Sequence, residues 1–178
     1  KDNTIYQAEK AWLDQFTNAS GTKRFNELFE PHKGIFSNPK PVELIKHLIN
    51  LINVNEDESV IILDFFAGSG TTGDAVMQLN AEDGGNRKYI LVQLPELIDV
   101  KKNKVAYDFV ENELKAEPTI FEITKERLIR AAKNINSGLD EKIEKFTQEL
   151  PTEESQTEIK KLERCKSQNN FKIFETIP

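Results

Sequence analysis

Three features of the sequence predict an α/β protein built on a parallel sheet flanked by helices. Val60-Ile61-Ile62-Leu63 is apolar at every position, which is how a strand buried on both faces reads, and such strands belong to parallel sheets covered by helices. This run leads directly into Asp64-Phe65-Phe66-Ala67-Gly68-Ser69-Gly70-Thr71-Thr72-Gly73. The glycines there punctuate a turn, after which Ala75, Val76 and Leu79 recur at helical spacing. Past the loop Asp83-Gly84-Gly85-Asn86, a second apolar run extends from Tyr89 to Leu94 and is closed by Pro95. Strand, helix and strand in this compass make a right-handed βαβ unit.

The remaining elements follow in chain order. Ile5, Tyr6, Trp12, Leu13 and Phe16 are spaced as in a helix over residues 1–19, halted by Ser20-Gly21. An irregular stretch through Phe25, Phe29, Pro31 and Gly34 then ends at Phe36. Trp12, Phe16, Phe25 and Phe29 read as core or interface residues. Asn38 and Lys40 each precede a proline and are held away from helical conformation. Val42, Leu44, Ile45, Leu48, Ile49 and Ile52 then predict a helix to about Asn53, before the polar break Asn55–Ser59.

Beyond Asp99 the pattern gives a helix over Lys102–Leu114, a short strand over Thr119–Ile123, and a helix N-capped by Thr124 and closed by Ser137-Gly138. Residues 139–170 are rich in Glu, Lys, Gln and Ser and read as solvated helices or a mobile linker. Phe171-Lys172-Ile173-Phe174 alternates like a strand.

Composition bounds the function. The 178 residues suffice for one sizeable core, and 38% hydrophobic with 30% charged residues fits a well-solvated surface. No apolar run approaches the ~20 residues of a membrane span, and no signal peptide opens the chain. A single Cys165 rules out an internal disulfide or a cysteine-rich metal site and agrees with a cytoplasmic setting. His32 and His47 stand alone, so no metal site is expected, and His47 reads as a solvated surface residue. The net charge of −6 repels phosphate, so contact with nucleic acid must rest on a local patch or on residues outside this chain. Lys101-Lys102-Asn103-Lys104 is the one basic cluster, and it reads equally well as a helix start.

The glycine turn carries the chemistry. A strand ending there delivers its last residues to the carboxyl edge of the sheet, where open α/β sheets bind ligands. Gly68 and Gly70 let the backbone bend sharply and a ligand approach it. The helix starting near Thr71 aims its N–H groups at the same place, and Asp64 can accept from a cationic or amino group. Gly68, Gly70 and Gly73 also satisfy G-x-G-x-x-G, so an NAD or FAD fragment of an oxidoreductase is a rival reading. Against it, Gln93 stands where a ribose-binding acid is expected, although Glu96 follows just past Pro95. A P-loop is excluded, because no Gly-Lys-Ser/Thr follows.

At these residues the chain resembles the C-terminal part of a DNA adenine-N6 methyltransferase, and more narrowly the modification subunit of type III restriction-modification systems. Asp64 through Thr72 resembles that family's S-adenosylmethionine (AdoMet) motif I. Phe36-Ser37-Asn38-Pro39-Lys40-Pro41 followed by Leu44-Ile45 resembles motif X. Tyr89-Ile90-Leu91-Val92-Gln93-Leu94-Pro95-Glu96 resembles the next strand, and Thr124-Lys125-Glu126-Arg127-Leu128 and Phe171–Phe174 resemble later segments. The resemblance implies a partial Rossmann-like AdoMet-dependent methyltransferase fold with a polar helical C-terminal extension. It implies AdoMet as cofactor, bound by Phe36, Lys40, Asp64, Phe65, Phe66, Ala67, Gly68, Ser69, Gly70, Thr71, Thr72 and Gln93. In that reading Lys40 and Asp64 lie toward the amino acid end, and Gln93 accepts from the ribose.

In this group the catalytic Asp/Asn/Ser-Pro-Pro-aromatic motif precedes motif X. This sequence holds no Pro-Pro, and Asn38-Pro39-Lys40-Pro41 places Pro41 where the aromatic should stack the flipped base. No catalytic residue is therefore assigned, and the chain is expected to bind AdoMet without methylating. The organisation expected is 1–35 as the end of a target-recognition and catalytic segment, 36–138 as the AdoMet-binding half-domain, and 139–178 as a polar helical linker with a terminal strand. The partners implied are the portion of the same protein preceding Lys1, duplex DNA through that parent, a second modification subunit and a restriction subunit. A non-catalytic module docking the restriction subunit is the other alternative.

Overall fold

The computed structural model describes residues 16–52, 60–148 and 152–174. In chain order its elements are α1 (Asn18–Leu28), α2 (Val42–Leu51), β1 (Ile61–Asp64), α3 (Thr71–Asp83), β2 (Lys88–Leu91), α4 (Lys104–Asp108), α5 (Ile120–Gln148) and α6 (Glu153–Gln168). A π-helical turn, Phe109–Leu114, continues α4.

β1 and β2 pair in parallel, with Ile62 opposite Tyr89 and Asp64 opposite Leu91, and α3 is the crossover between them. This is the βαβ unit that the sequence predicts. Side chains alternate across the sheet. Ile62 and Tyr89 point inward onto Ile49 of α2 and Val76 and Leu79 of α3.

The outward set is bare. Ile61, Leu63 and Ile90 are 58%, 48% and 50% exposed, so β1 is not buried on both faces as its unbroken apolar run suggests. Among the described residues the helices cover one face of the sheet. The larger core lies beside it, where Phe25, Phe29, Ile35, Met77, Phe109, Ile123, Leu128 and Ala131 pack together. Phe25 and Phe29 stack with ring centroids 4.3 Å apart. The two aromatics are therefore internal to this core.

Several boundaries differ from the sequence reading. Residues 1–15 of the first expected helix and the break at 55–59 lie outside the described residues. Ser20-Gly21 does not stop a helix, because α1 runs straight through it. Gly21 is small for a packing reason: a Cβ there would stand 2.2 Å from the carbonyl oxygen of Pro39. The expected strand at 119–123 reduces to one antiparallel bridge, Leu97 to Thr119, after which Ile120 opens α5. Thr124 is inside that helix, not its cap.

α5 also passes through Ser137-Gly138 and continues to Gln148. It does so because α6 runs back along it, burying Leu139, Leu162 and Cys165 with help from Ile143, Phe146 and Ala81. The boundary placed at 138 thus falls in mid-helix. The helical part of the 139–170 reading holds, but these helices are packed and not merely solvated. A reciprocal cap opens α6, with Ser155 N donating to Thr152 Oγ1 (3.1 Å) and Thr152 N donating to Ser155 Oγ (3.0 Å). Phe171–Phe174 forms no strand, and Phe171 instead leans on the main core.

Candidate functional site

β1 ends at Asp64, and the chain turns sharply into α3. Asp64 organises this turn with both carboxylate oxygens: Oδ1 accepts from Phe66 N (3.0 Å) and Oδ2 from Thr72 Oγ1 (2.6 Å). Gly68 (φ +52°) and Gly70 (φ +78°) adopt left-handed backbone that other residues enter only with strain. Gly70 is also the N-cap of α3, and no side chain caps that helix. The pairing of the strands continues past β1 and β2 through Val92 N to Asp64 O (2.8 Å) and Ala67 N to Val92 O (3.1 Å).

The segment from Phe36 to Pro41 is brought to the same turn. A Cβ built on Gly68 would lie 3.8 Å from the Phe36 ring tip, and Thr71 Oγ1 reaches the Lys40 carbonyl oxygen at 3.4 Å. The Lys40 residue is exposed, Phe65 is 63% exposed and Phe66 90%. Ala67, Ser69, Gly70, Thr71 and Thr72 are buried. The turn therefore offers the surface Phe65, Phe66 and, in part, Gly68, while its hydroxyls face inward.

Gln93 is also at this turn, where it braces the backbone. Its Oε1 accepts from Gly68 N (2.7 Å), and its Nε2 donates to Leu94 O (3.0 Å). These two partners fix which end of the amide is which. An acid at 93 would serve the first bond and lose the second, which gives a structural reason for an amide here.

Four residues outside the expected cofactor set hold the turn from behind, two of them, Thr124 and Arg127, in the Thr124–Leu128 segment that carries part of the resemblance. Thr124 of α5 donates its hydroxyl to Gly68 O. Arg127, one turn further along α5 and fully buried, donates to Ser69 Oγ and Thr71 Oγ1 at 2.8 Å each. Its other Nη pairs with Asp74 Oδ2 at 3.1 Å. Arg24 of α1 pairs with the opposite oxygen of Asp74 at 3.2 Å and with Asn134 at 3.0 Å. Burial alone would raise the Asp74 carboxyl, but the two guanidiniums and the hydrogen bonds from Arg24 and Gln78 hold it below the ordinary carboxylate range. Burial lowers Arg127, and Asp74 opposes that. Asp74 in the first helical turn was the available signal, since an acid there favours the helix dipole. Of its partners, 50 and 53 residues distant in sequence, Arg24 carried none, and Arg127 stood in the resembling Thr124–Leu128 segment without a role attached.

Gly70 and Gly73 fit against α5 directly. A Cβ on Gly70 would meet Thr124 at 3.3 Å, and one on Gly73 would meet Leu128 Cδ2 at 2.5 Å. The third glycine of G-x-G-x-x-G thus serves helix packing.

Elsewhere the other candidates resolve simply. His47 is partly buried, its ring 5.8 Å from that of Phe16, and so is not a solvated surface residue. His32 pairs with Glu113 at 3.0 Å. Among the described residues no group of three or more His, Cys, Asp or Glu is arranged to hold a metal ion, and no helix is long and apolar enough to cross a membrane. The basic cluster is a helix start: Asn103 caps α4 by accepting from Ala106 N (3.0 Å), and Lys102 and Lys104 pair with Asp99 and Asp108. A cavity of about 270 Å³ lies on the far side of Arg24, lined by Ser20, Val42, Glu43, Gln78, Asn134 and Ile135. None of the glycine-turn residues contributes to it.

The DNA methylase family model matches residues 3–133. The type III restriction-modification enzyme StyLTI Mod subunit of Salmonella typhimurium is 39% identical over 127 residues, 71% of this chain and 18% of its own length. The type III EcoP15I Mod subunit of Escherichia coli is 38% identical over 112 residues, 63% of this chain and 16% of its own. The type II methyltransferase M.KpnI of Klebsiella pneumoniae is 35% identical over 97 residues, 54% of this chain and 22% of its own. The chain thus spans about a fifth or less of the length of these type III relatives.

Proposed function

Since the chain belongs to the DNA methylase family, we propose that the turn after β1 is the seat of the methyl donor S-adenosylmethionine in a DNA adenine-N6 methyltransferase of the restriction-modification type. The observation that carries this reading is convergence. Phe36 and Lys40 on one side, Gly68–Gly70 in the middle and Gln93 on the other meet at one left-handed turn. When bound, the donor supplies an activated sulfonium methyl for direct displacement by the target amine, and the protein's task is alignment.

Phe65, Phe66, Gly68 and Lys40 present the accessible surface, so they are the proposed contacts. Asp64, Ser69, Thr71, Thr72 and Gln93 serve by holding the backbone, each already committed to a hydrogen bond within the turn. Gln93 Oε1 accepts from Gly68 N and keeps a second lone pair, with which it would accept from the ribose. In this proposal the parallel pair and its helices are part of a Rossmann-like fold, with residues 36–138 as the cofactor half and 139–178 as a polar helical extension. Residues 1–35 would end a target-recognition and catalytic segment.

The match covers less than a quarter of each relative's own length, and the bare sheet face of Ile61, Leu63 and Ile90 supports a reading in which further chain of the parent protein covers it. Duplex DNA, a second modification subunit and a restriction subunit would be partners of that parent, in the cytoplasm. Without a Pro-Pro-aromatic motif, the 178-residue chain should bind donor but transfer no labelled methyl group to duplex DNA. Calorimetric titration is the primary test. Heat on adding AdoMet or S-adenosylhomocysteine, with none from NAD, is the expected result, and the reverse would overturn the reading.

A further inference from the structure

Two hydroxyls flank the N-cap of α3, and neither caps it. The capping position itself is held by Gly70, which has no side chain to turn onto the first free N–H groups of the helix. Ser69 and Thr71 stand on either side of Gly70, their oxygens 3.1 Å apart, yet α3 has no side-chain cap. Both oxygens instead receive one nitrogen of Arg127, at 2.8 Å each. A guanidinium has donors only, in a rigid fork, so it holds both oxygens facing away from the helix end.

The arrangement is deliberate in its charges. A buried cation near a helix N-terminus is disfavoured by desolvation and by the dipole. Asp74 offsets both by pairing with Arg127, and Arg24 and Gln78 hold Asp74 in place. Thr124, three residues before Arg127 and so on the same face of α5, fixes the Gly68 carbonyl.

We propose that Arg127 is a positioning residue for the methyl-donor turn. By fixing the Ser69 and Thr71 hydroxyls on either side of Gly70, it holds in place the start of α3, whose first N–H groups no side chain caps. With Thr124 it also keeps Gly68 to Gly70 in their left-handed geometry. This rests on the reading that the turn binds the donor.

The test compares Arg127→Met, Arg127→Lys and Leu162→Ala in the 178-residue chain. Leu162 is buried in the distant α5–α6 cluster and serves as a stability control. S-adenosylhomocysteine affinity is measured by calorimetry, the ligand-free amide resonances of Gly68 and Gly70 by NMR, and melting by fluorescence. Arg127→Met keeps Asp74 paired through Arg24, and should weaken binding about ten-fold or more, the worth of one charged hydrogen bond, while moving both resonances. Arg127→Lys keeps the charge without the fork and should move the same resonances with a smaller loss. Leu162→Ala should lower the melting midpoint yet bind within about two-fold of the parent, as distant sites act independently.

Parent-like binding by Arg127→Met, or an equal loss in Leu162→Ala, overturns the proposal. Should Arg127→Met fail to fold, parent-like binding and resonances in Arg127→Lys overturn it instead. If the parent chain itself does not bind the ligand, the donor-site reading fails separately. Unmoved glycine resonances in the Arg127 variants would then refute the positioning role as well.

Discussion

The two ends of α5 do different work. From Ile123 to Ala131 the helix seats Ile123, Leu128 and Ala131 in the main core and, between them, buries Thr124 and Arg127, each aimed at a specific backbone or side-chain oxygen of the glycine turn. From Leu139 onward it buries apolar side chains against α6, in a cluster of Leu139, Leu162 and Cys165. The first end sets a geometry and is costly if any partner is lost, because buried polar groups need all their bonds. The second end contributes mainly apolar area, with the Lys166–Asp140 pair and the Asn169–Asn136 hydrogen bond beside it, and area tolerates change. The difference between them can be broken or sharpened by substitution at each end.

The largest effect is expected at Asp74. Asp74→Ala removes the main counter-charge of fully buried Arg127, and breaking a buried pair in this way costs about 3–5 kcal/mol. Urea unfolding measures it. A loss under about 1 kcal/mol would mean that Arg127 finds water or another partner, and the contrast between the two ends would collapse.

The same pair sets an acid limit. The Asp74 carboxyl lies below its ordinary value in the folded protein. Its contribution is therefore complete above the ordinary carboxylate range and is lost as pH falls toward the lower folded value. The parent should lose stability steeply with acid in that window, and the Asp74→Ala protein should show a shallower slope.

A smaller effect is expected at Gly73. Adding a methyl group there gains about 1 kcal/mol of helix propensity, but the new Cβ would meet Leu128 Cδ2 at 2.5 Å, with Leu91 and Tyr89 at 3.2 and 3.3 Å. Overpacking of this kind costs about 1–3 kcal/mol, so Gly73→Ala should be destabilised by up to about 2 kcal/mol net. A more stable Gly73→Ala would show that α5 is not seated firmly on the turn.

The sequence carried the local pattern well and the long-range closure poorly. The βαβ unit was legible because Val60–Leu63, the glycines and Tyr89–Leu94 each announce themselves within a short window. The convergence of Phe36 and Lys40 on Gly68 was legible only through resemblance, since nothing local links residues so far apart. The clamp was flagged only as the resembling Thr124–Leu128 segment, and neither its role nor its partners could be read from it. Thr124 read as an N-cap because Thr before an amphipathic run usually is one, whereas its hydroxyl satisfies Gly68 O and Ile120 O from inside the helix. Gly21 read as a stop and Gly138 as another, since glycine ends more helices than it joins. At Gly21 the tertiary contact with Pro39 overrode that tendency.

Gly138 sharpens the comparison with the smallest change. It sits in the interior of α5, and no heavy atom outside its own helix turn lies within 4 Å of where a Cβ would stand. Its surroundings are thus the opposite of those at Gly73 on a helix that also carries a glycine in its interior. An alanine there meets nothing, lowers the freedom of the unfolded chain and gains helix propensity, together about 0.5–1 kcal/mol of stabilisation. Gly138→Ala should therefore raise the urea midpoint while leaving S-adenosylhomocysteine affinity unchanged, since the site lies beyond the residues that reach the turn. If it destabilises the protein, α5 must bend or break at Ser137-Gly138. The α5–α6 hairpin would then be a separate unit, not the continuation of the helix that holds the turn.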